Sequence, residues 1–432
     1  MRMERLGEGG SPAQVLRALG GRARDLGIAP PAALTGVWFG AAAVIAPTLA
    51  ASPTPVRGTF TRPDRMRGPL TREDGPLIGG GWVGYLAYPD RLPTTPALPA
   101  AAGGWTDVVL RLDDAGCWWY ETLTDRPCPP DLAAAVRDPQ IAGTGWHIDW
   151  IPPDRAAHRH GVEQCLEAIR AGEVYQACVC GRFTGRWSGD PLAFFADAIE
   201  ATRPNRAASL QGPWGAVASL SPELFLSCRG DRVESGPIKG TLPLHRDPAE
   251  LRASVKDVAE NVMIVDLVRN DLGRVAETGT VTVPDLLGVH PAPGVWHLVS
   301  TVAATLGPDV TADALLDAAF PPASVTGCPK LRARDLVQDW EPLPRGVYCG
   351  TVGMSSPLAG LELNVAIRTV EFGAVESGTA ECALGVGGGI TIDSDPDAEW
   401  QECLDKAASI LQLSPSTRPD PPPAARTAGA PR

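Results

Sequence analysis

The chain has no CxxC pair, no run of Lys or Arg, and no glycine-rich loop ending in Gly-Lys-Ser/Thr. Its 10 cysteines are scattered, Cys178 and Cys180 being the nearest two, so neither a zinc site nor a dithiol redox motif is indicated. Without a basic run, and with a formal net charge of −12, a general nucleic-acid surface is excluded. The missing loop ending excludes a nucleotide-triphosphatase of the P-loop type. The apolar stretch from Trp38 to Ala51 is short and interrupted by Pro47, which suits a buried segment better than a membrane span. The opening MRMERLGEGG lacks the apolar core of a signal peptide. No internal repeat is visible. A reduced, cytoplasmic protein that binds neither nucleic acid nor membrane is the expectation.

What is present is enough apolar residue, 44% of 432, to build one large core or two ordinary ones. Residues 1–150 are rich in Ala, Pro and Gly, with loops expected at 51–75 and 89–104 and strands at 79–85 and within 105–120. Residues 128–145, carrying Pro129, Pro130 and Pro139, read as a linker. From about 151 to 413 the pattern sharpens into distinct helices and strands. Residues 414–432 are Pro/Ala-rich and poor in core-forming side chains, so disorder is expected there.

Within 151–413, chemistry-bearing residues stand in unusual places. One helix is predicted over 249–274, and it carries Glu260, Asn261, Asp266 and Asp271 inside an apolar run. Unpartnered charges there would cost several kcal/mol, so buried and paired groups are expected. A second helix is predicted to start at Asp395-Pro396, an N-cap followed by proline, with Trp400, Leu404, Ala407 and Leu411 as its apolar stripe. Glu399, Glu402 and Lys406 share another face. Glutamates from two helices make an oxygen-only set suited to Mg²⁺. Gly387-Gly388-Gly389, read as a bend, offers backbone amides to an anion. Arg368, at the end of a strand-like alternation, can fork onto a carboxylate. Lys239 lies in Pro237-Ile238-Lys239-Gly240-Thr241, sixteen residues after Glu223. Taken alone it is a solvated surface charge. Held rigidly and desolvated, it becomes a nucleophile.

Together these segments resemble the chorismate-utilising enzymes, and within them the branch of aminodeoxychorismate (para-aminobenzoate) synthase large subunits. The matching blocks are EVYQ (173–176), SPELF (221–225), PIKGT (237–241), KDVAENVMIVDLVRNDL (256–272), VWHLVS (295–300), TGCPK (326–330), RGVYCG (345–350), NVAIRT (364–369) and GGGITIDSDPDAEWQECLDKA (387–407), all in family order. The amino-terminal match is weaker, mainly GGGWVGYLAY (79–88). The resemblance implies an α+β fold of two facing antiparallel sheets with helices outside and the active site between the sheets. Residues 1–150 would be a divergent part of that fold, ahead of the chorismate-binding region at 151–413.

The resemblance also implies Mg²⁺ between the substrate's ring carboxylate and Glu260 and Glu402, with Glu399 close by. Arg368, Tyr348, Gly387 and Gly389 would bind substrate carboxylates, His297 and Thr326 would line the ring, and Thr241 and Lys406 would stand beside it. Lys239 would add to ring C2 as the C4 hydroxyl leaves, with Glu223 as the general acid. Ammonia would then enter at C4. Water-using relatives carry a lysine near Gln176, and glutamine cannot serve as base for water. The chain shows no amidotransferase of its own: Cys178-Val179-Cys180-Gly181 lacks the preceding glycine and following His-x-Glu. A partner glutamine amidotransferase is therefore implied as the ammonia source, and burial in the core is the expected role of both cysteines. Cys178, Cys328 and Leu242-Pro243-Leu244 depart from the family pattern. An anthranilate or 2-amino-2-deoxyisochorismate synthase, and a silent homologue that only binds chorismate or an amidotransferase, remain open alternatives.

Overall fold

A computed structural model describes residues 1–60, 71–72, 75–91, 95–141, 145–375 and 378–416. Most of the region read as the disordered tail, 417–432, lies outside them, whereas Ser416 is tied in by hydrogen bonds to Arg17 and Asp197. Two antiparallel sheets of twelve and ten strands dominate the architecture. In the larger sheet the strands run in the order 2–7, 118–122, 108–112, 41–46, 32–38, 206–212, 215–221, 369–373, 380–390, 176–189 and 146–151, with 327–328 pairing beside 176–189. In the smaller, the order is 238–243, 295–305, 232–236, 224–229, 360–365, 351–356, 81–86, 101–106 and 52–53, with 282–292 pairing beside 295–305. Amino-terminal strands thus extend both sheets rather than forming a body of their own.

Alternating apolar residues fill the space between and behind the sheets. One apolar cluster joins Tyr348, Val365 and Leu363 to Ile264, Val265 and Val268 of the Val255–Gly273 helix. Another packs the Pro12–Leu26 and Pro191–Thr202 helices on the larger sheet through Leu16, Leu19, Phe194 and Phe195. Burial on this scale is worth about 25 cal/mol per Å² of apolar surface, which fixes the layers before any polar group is considered.

Several expectations change. The helix read over 249–274 is two: Ala249–Ala253 and Val255–Gly273, separated at Ser254, whose side chain accepts from Asp257 N and caps the second. The linker at 128–145 contains a helix, Pro130–Arg137, because proline is compatible with a helix's first positions. The loop read over 89–104 ends early, since Ala101–Thr106 is a strand. The segment 105–120 holds turns between strands ending at Thr106, Val108–Leu112 and Trp118–Thr122. In the Pro396–Leu411 helix the buried stripe is Glu399, Cys403, Ala407 and Ile410, which keeps Ala407 but replaces Trp400, Leu404 and Leu411 by the residues one position earlier and puts a carboxylate on the inward face.

A buried ion pair ties the sheets together. Glu121, fully buried in the larger sheet, accepts from Arg111 Nε at 2.5 Å and from the backbone N–H groups of Ile78 and Gly79 at 2.7 and 3.1 Å, just ahead of a strand of the smaller sheet. Glu121→Ala leaves the Arg111 cation and two N–H groups without that partner, and should lower unfolding stability by about 3–5 kcal/mol. Urea titration of both proteins checks this through the midpoint.

Candidate active site

Two places where the chain leaves one sheet for the other build the site. Strand Gly215–Ser221 of the larger sheet passes through Pro222 and Glu223 into strand Leu224–Arg229 of the smaller. Strand Gly360–Val365 returns through Ala366, Ile367 and Arg368 into Thr369–Gly373. The crossovers bond to each other: Leu220 N–H donates to Arg368 C=O at 3.0 Å and Val365 N–H to Glu223 C=O at 3.1 Å. Arg368 is therefore on a connection and not on the expected strand, with φ of 50°, a left-handed conformation that non-glycine residues adopt only under local constraint. Both side chains open into one cavity of about 570 Å³, within the roughly 300–1,000 Å³ typical of small-molecule sites.

Lys239 reaches the same cavity from the strand Ile238–Pro243. Pairing with Val295–Thr305 shifts register between Ile238 and Thr241, and Gly240 has φ of 82°. Such a bulge bends the strand and re-aims the side chain next to it. Lys239 Nζ lies 3.4 Å from Glu260 Oε2. Burial works against the ammonium, but the Cys178 thiol when ionised and the Glu260 and Glu223 carboxylates favour it, and the balance raises the pKa above the ordinary lysine value. Desolvation alone thus does not unmask the amine in the free protein. Its state depends on what Glu260 is bound to.

Glu223 is 4% exposed, and burial drives its carboxyl up to about 7 despite the pull of Lys239. His297, also buried, has its pKa lowered to about 4 by burial and by Arg368, so it is neutral at pH 7. Its Nδ1 lies 3.1 Å from Thr241 Oγ1. Among the described residues no carboxylate pairs with Arg368, whose pKa burial pulls down. A guanidinium held in a cavity without a counter-ion is suited to an anionic ligand.

The acidic helices meet on the opposite wall. Glu260 is oriented by its neighbour: Asn261 donates to Leu298 C=O and accepts from Ser300 Oγ at 2.6 Å, which locks the Val255–Gly273 helix to the Val295–Thr305 strand. Glu402 pairs with Lys406 at 2.7 Å, and Lys406 also donates to Gly387 C=O at 2.8 Å. Glu399 stands behind them, 3% exposed, accepting from Ser394 Oγ at 2.7 Å and facing Lys256 at 3.4 Å. Asp271 belongs elsewhere. It pairs with Lys330, while Asp266 is an exposed partner of Arg269.

The glycines 387–389 lie in the extended strand Ala380–Ile390, so they are no bend. Their contribution is missing Cβ atoms. A Cβ on Gly388 would meet Glu399 Oε2 at 2.9 Å, and one on Gly389 would meet Gln176 Nε2 at 2.5 Å and Lys239 Nζ at 3.1 Å. Gln176 is fully buried with neither amide atom hydrogen-bonded among the described residues.

Of the residues singled out in the sequence, Glu223, Lys239, Thr241, Glu260, His297, Tyr348, Arg368, Gly387, Gly389, Glu402 and Lys406 all line the cavity. Thr326 does not: its hydroxyl donates to Pro322 C=O at 2.9 Å, and Ser324 and Val325 form the wall there. Cys178 and Cys180 are buried as expected, yet with Cys349 they also form cavity wall, and burial raises the Cys178 thiol to about 11. Pro243 and Leu244 of the unusual Leu-Pro-Leu segment are exposed. Lys256 was missed, although its position one turn before Glu260 was a usable signal.

Glu260, Glu399 and Glu402 fit a hard divalent ion by donor type, and Glu399 Oε2 is buried without a hydrogen-bond partner among the described residues. No three Asp, Glu, His or Cys groups among the described residues come together at metal-ligand spacing, so much of the coordination would fall to other oxygens. Mg²⁺, which keeps waters and takes only one or two carboxylates, matches that arrangement. Among the described residues no helix is long and apolar enough to cross a membrane.

Comparison with known proteins gives the family and the fold. The family of chorismate binding enzymes matches residues 78–412. Aminodeoxychorismate synthase component 1 of Escherichia coli (strain K12) is 43% identical over 256 residues, 58% of this chain and 55% of that protein. The Salmonella typhimurium protein of the same name is 36% identical over 77% of this chain and 76% of its own length. The match therefore spans little more than half of the Escherichia coli relative. Among solved structures, anthranilate synthase component I from Streptococcus pneumoniae TIGR4 superposes with a TM-score of 0.65 at 25% identity, over 80% of this chain and 83% of its own.

Proposed function

The chain belongs to the chorismate-binding enzymes, and from that premise we propose that it replaces the C4 hydroxyl of chorismate with an amino group, giving 4-amino-4-deoxychorismate, the precursor of para-aminobenzoate. The observation that carries this reading is one cavity between two sheets holding a buried lysine, a buried acid of pKa about 7 and an unpaired arginine. Arg368, with Tyr348, is suited to the substrate's carboxylates. The named function of the relatives in Escherichia coli and Salmonella typhimurium supports the same choice.

In the proposed sequence, the neutral Lys239 amine forms a bond to ring C2, both ring double bonds shift by one position (C1=C2 to C1=C6 and C5=C6 to C4=C5), and the C4–O bond breaks. Glu223 donates its proton to that oxygen, so water leaves instead of hydroxide. Ammonia then bonds to C4, both double bonds return, and the C2–N bond to Lys239 breaks. The proton that ammonia sheds on addition restores the acid, and the sum is chorismate plus ammonia to product plus water. Glu260 and Glu402, with Glu399 behind them, would hold Mg²⁺, which orients the ring carboxylate and supplies Lewis-acid stabilisation. Engagement of Glu260 by such an ion would remove the carboxylate nearest to Lys239 and so weaken the preference for its ammonium. The unpartnered Gln176 amide can hydrogen-bond ammonia but cannot take a proton from water, which supports amination over hydration. Ammonia is mostly ammonium at neutral pH, so a partner glutamine amidotransferase is the proposed source.

Incubation with chorismate, Mg²⁺ and an ammonium salt should yield a product that retains its enolpyruvyl group and carries nitrogen at C4 by NMR. Recovery of anthranilate and pyruvate would overturn the reading.

A further inference from the structure

Three carboxylates and three ammonium groups face one another at the acidic wall. Lys239 pairs with Glu260 at 3.4 Å, Lys406 with Glu402 at 2.7 Å, and Lys256 lies 3.4 Å from Glu399 and 3.9 Å from Glu260. In the free protein the wall is therefore close to neutral, which removes the repulsion that three clustered glutamates would otherwise feel. A divalent cation added to it would meet three positive groups at once.

The three lysines differ in how they are held. The Lys239 side chain is 14% exposed and fixed by the bulge at Gly240. Lys406 is anchored twice, to Glu402 and to the Gly387 carbonyl. Lys256 is half-exposed, sits at the second position of its helix, and touches carboxylates of both acidic helices, with no backbone anchor for its ammonium among the described residues. It is the most exposed of the three, at 50% against 39% for Lys406 and 14% for Lys239, and it touches both acidic helices. A lysine ammonium on a four-carbon stem is a mobile point charge.

We propose that Lys256 is a built-in counter-ion, bridging Glu260 and Glu399 in the free protein and withdrawing to solvent when a divalent cation is taken up. The inference rests on the metal-binding reading of Glu260, Glu399 and Glu402 given above. It accounts for a set of oxygen donors that is chemically suited to a hard cation yet already paired. It also makes cation uptake by the free protein weak, because the ion must displace a tethered charge, whereas a bound substrate carboxylate adds a ligand that tips the exchange.

Mn²⁺ binding to the full-length protein, followed by electron paramagnetic resonance of the free ion, tests this without reference to turnover. Without chorismate, Lys256→Met should bind Mn²⁺ about tenfold more tightly than the wild type, the scale expected for removing one partly screened charge near two carboxylates. Lys256→Arg keeps the charge and should bind as weakly as the wild type. Equal or weaker binding by Lys256→Met, no binding by either protein, or equal tightening by both variants would each overturn the proposal. Parallel titrations with chorismate separate the two levels: Mn²⁺ bound only in its presence, with no effect of Lys256→Met, defeats the counter-ion role alone. No Mn²⁺ bound even then defeats the metal reading beneath it. Circular dichroism melting of each variant confirms that an affinity change arises in folded protein.

Discussion

Lys239→Ala should lower formation of the C4-aminated product by roughly 10³-fold or more, the scale seen when a covalent nucleophile is removed. The expectation follows from position: Lys239 lies on a bulge that aims it into the cavity, and Gly389 leaves room for its amine beside Gln176. Without that amine, the strongest small nucleophile left to meet C2 is ammonia itself. Residual product should therefore carry nitrogen at C2, and NMR of the product mixture distinguishes the two regiochemistries. The wild type, quenched during turnover and digested, should show the peptide holding residues 237–241 heavier by chorismate less one water. Unchanged C4 amination by Lys239→Ala would remove the covalent step, whatever the trapping experiment gave. The raised pKa of Lys239 belongs to the free protein, so the neutral amine is expected only in the loaded complex, where Glu260 is otherwise engaged.

Why Lys239 was legible and its protonation was not comes down to range. The pentapeptide, the acid sixteen residues before it and the acidic helices are local patterns, readable from spacing and residue type. The two crossovers that bring Glu223 and Arg368 together depend on strands 215–221 and 369–373 pairing across some 150 residues, and no local signal encodes that register. Arg368 therefore read as part of a strand when it lies on a connection. Gly387–Gly389 read as an anion cradle because glycine signals backbone freedom in isolation. Only the packed structure shows Glu399, Gln176 and Lys239 occupying the space where side chains would stand. Lys256 was passed over because a half-exposed lysine in a helix's first turn carries no signal of its own until the second acidic helix is packed beside it. The stretch at 128–145 was misread for the opposite reason, its prolines taken as breaks when two of them open a helix.

Glu223→Gln should reduce turnover by about 10²–10⁴-fold, the usual worth of a positioned general acid. Its main signature, however, is the shape of the pH profile. The acid works only while protonated, and with a pKa of about 7 it is half ionised at neutral pH. Wild-type turnover should therefore fall as pH rises past about 7, provided that free ammonia and not total ammonium is held constant. Glutamine has no proton to lose, so this alkaline limb should vanish from the residual activity of the variant. Stability supplies an independent check on the same carboxyl. Because its folded pKa is raised, the folded state prefers the protonated form, and the wild type is destabilised progressively as pH climbs from the ordinary glutamate range through about 7. Above that pH the cost of holding a buried carboxylate is fully present; below the ordinary range it is absent. Glu223→Gln should accordingly unfold at a higher urea concentration than the wild type at pH 8, with the difference shrinking toward pH 5. A variant that is as active as the wild type, or one that keeps the alkaline limb, would reassign the proton donor to another group in the cavity. A variant that is inactive and stabilised at pH 8 would place the loss in chemistry, because a protein whose fold had failed could not gain stability there.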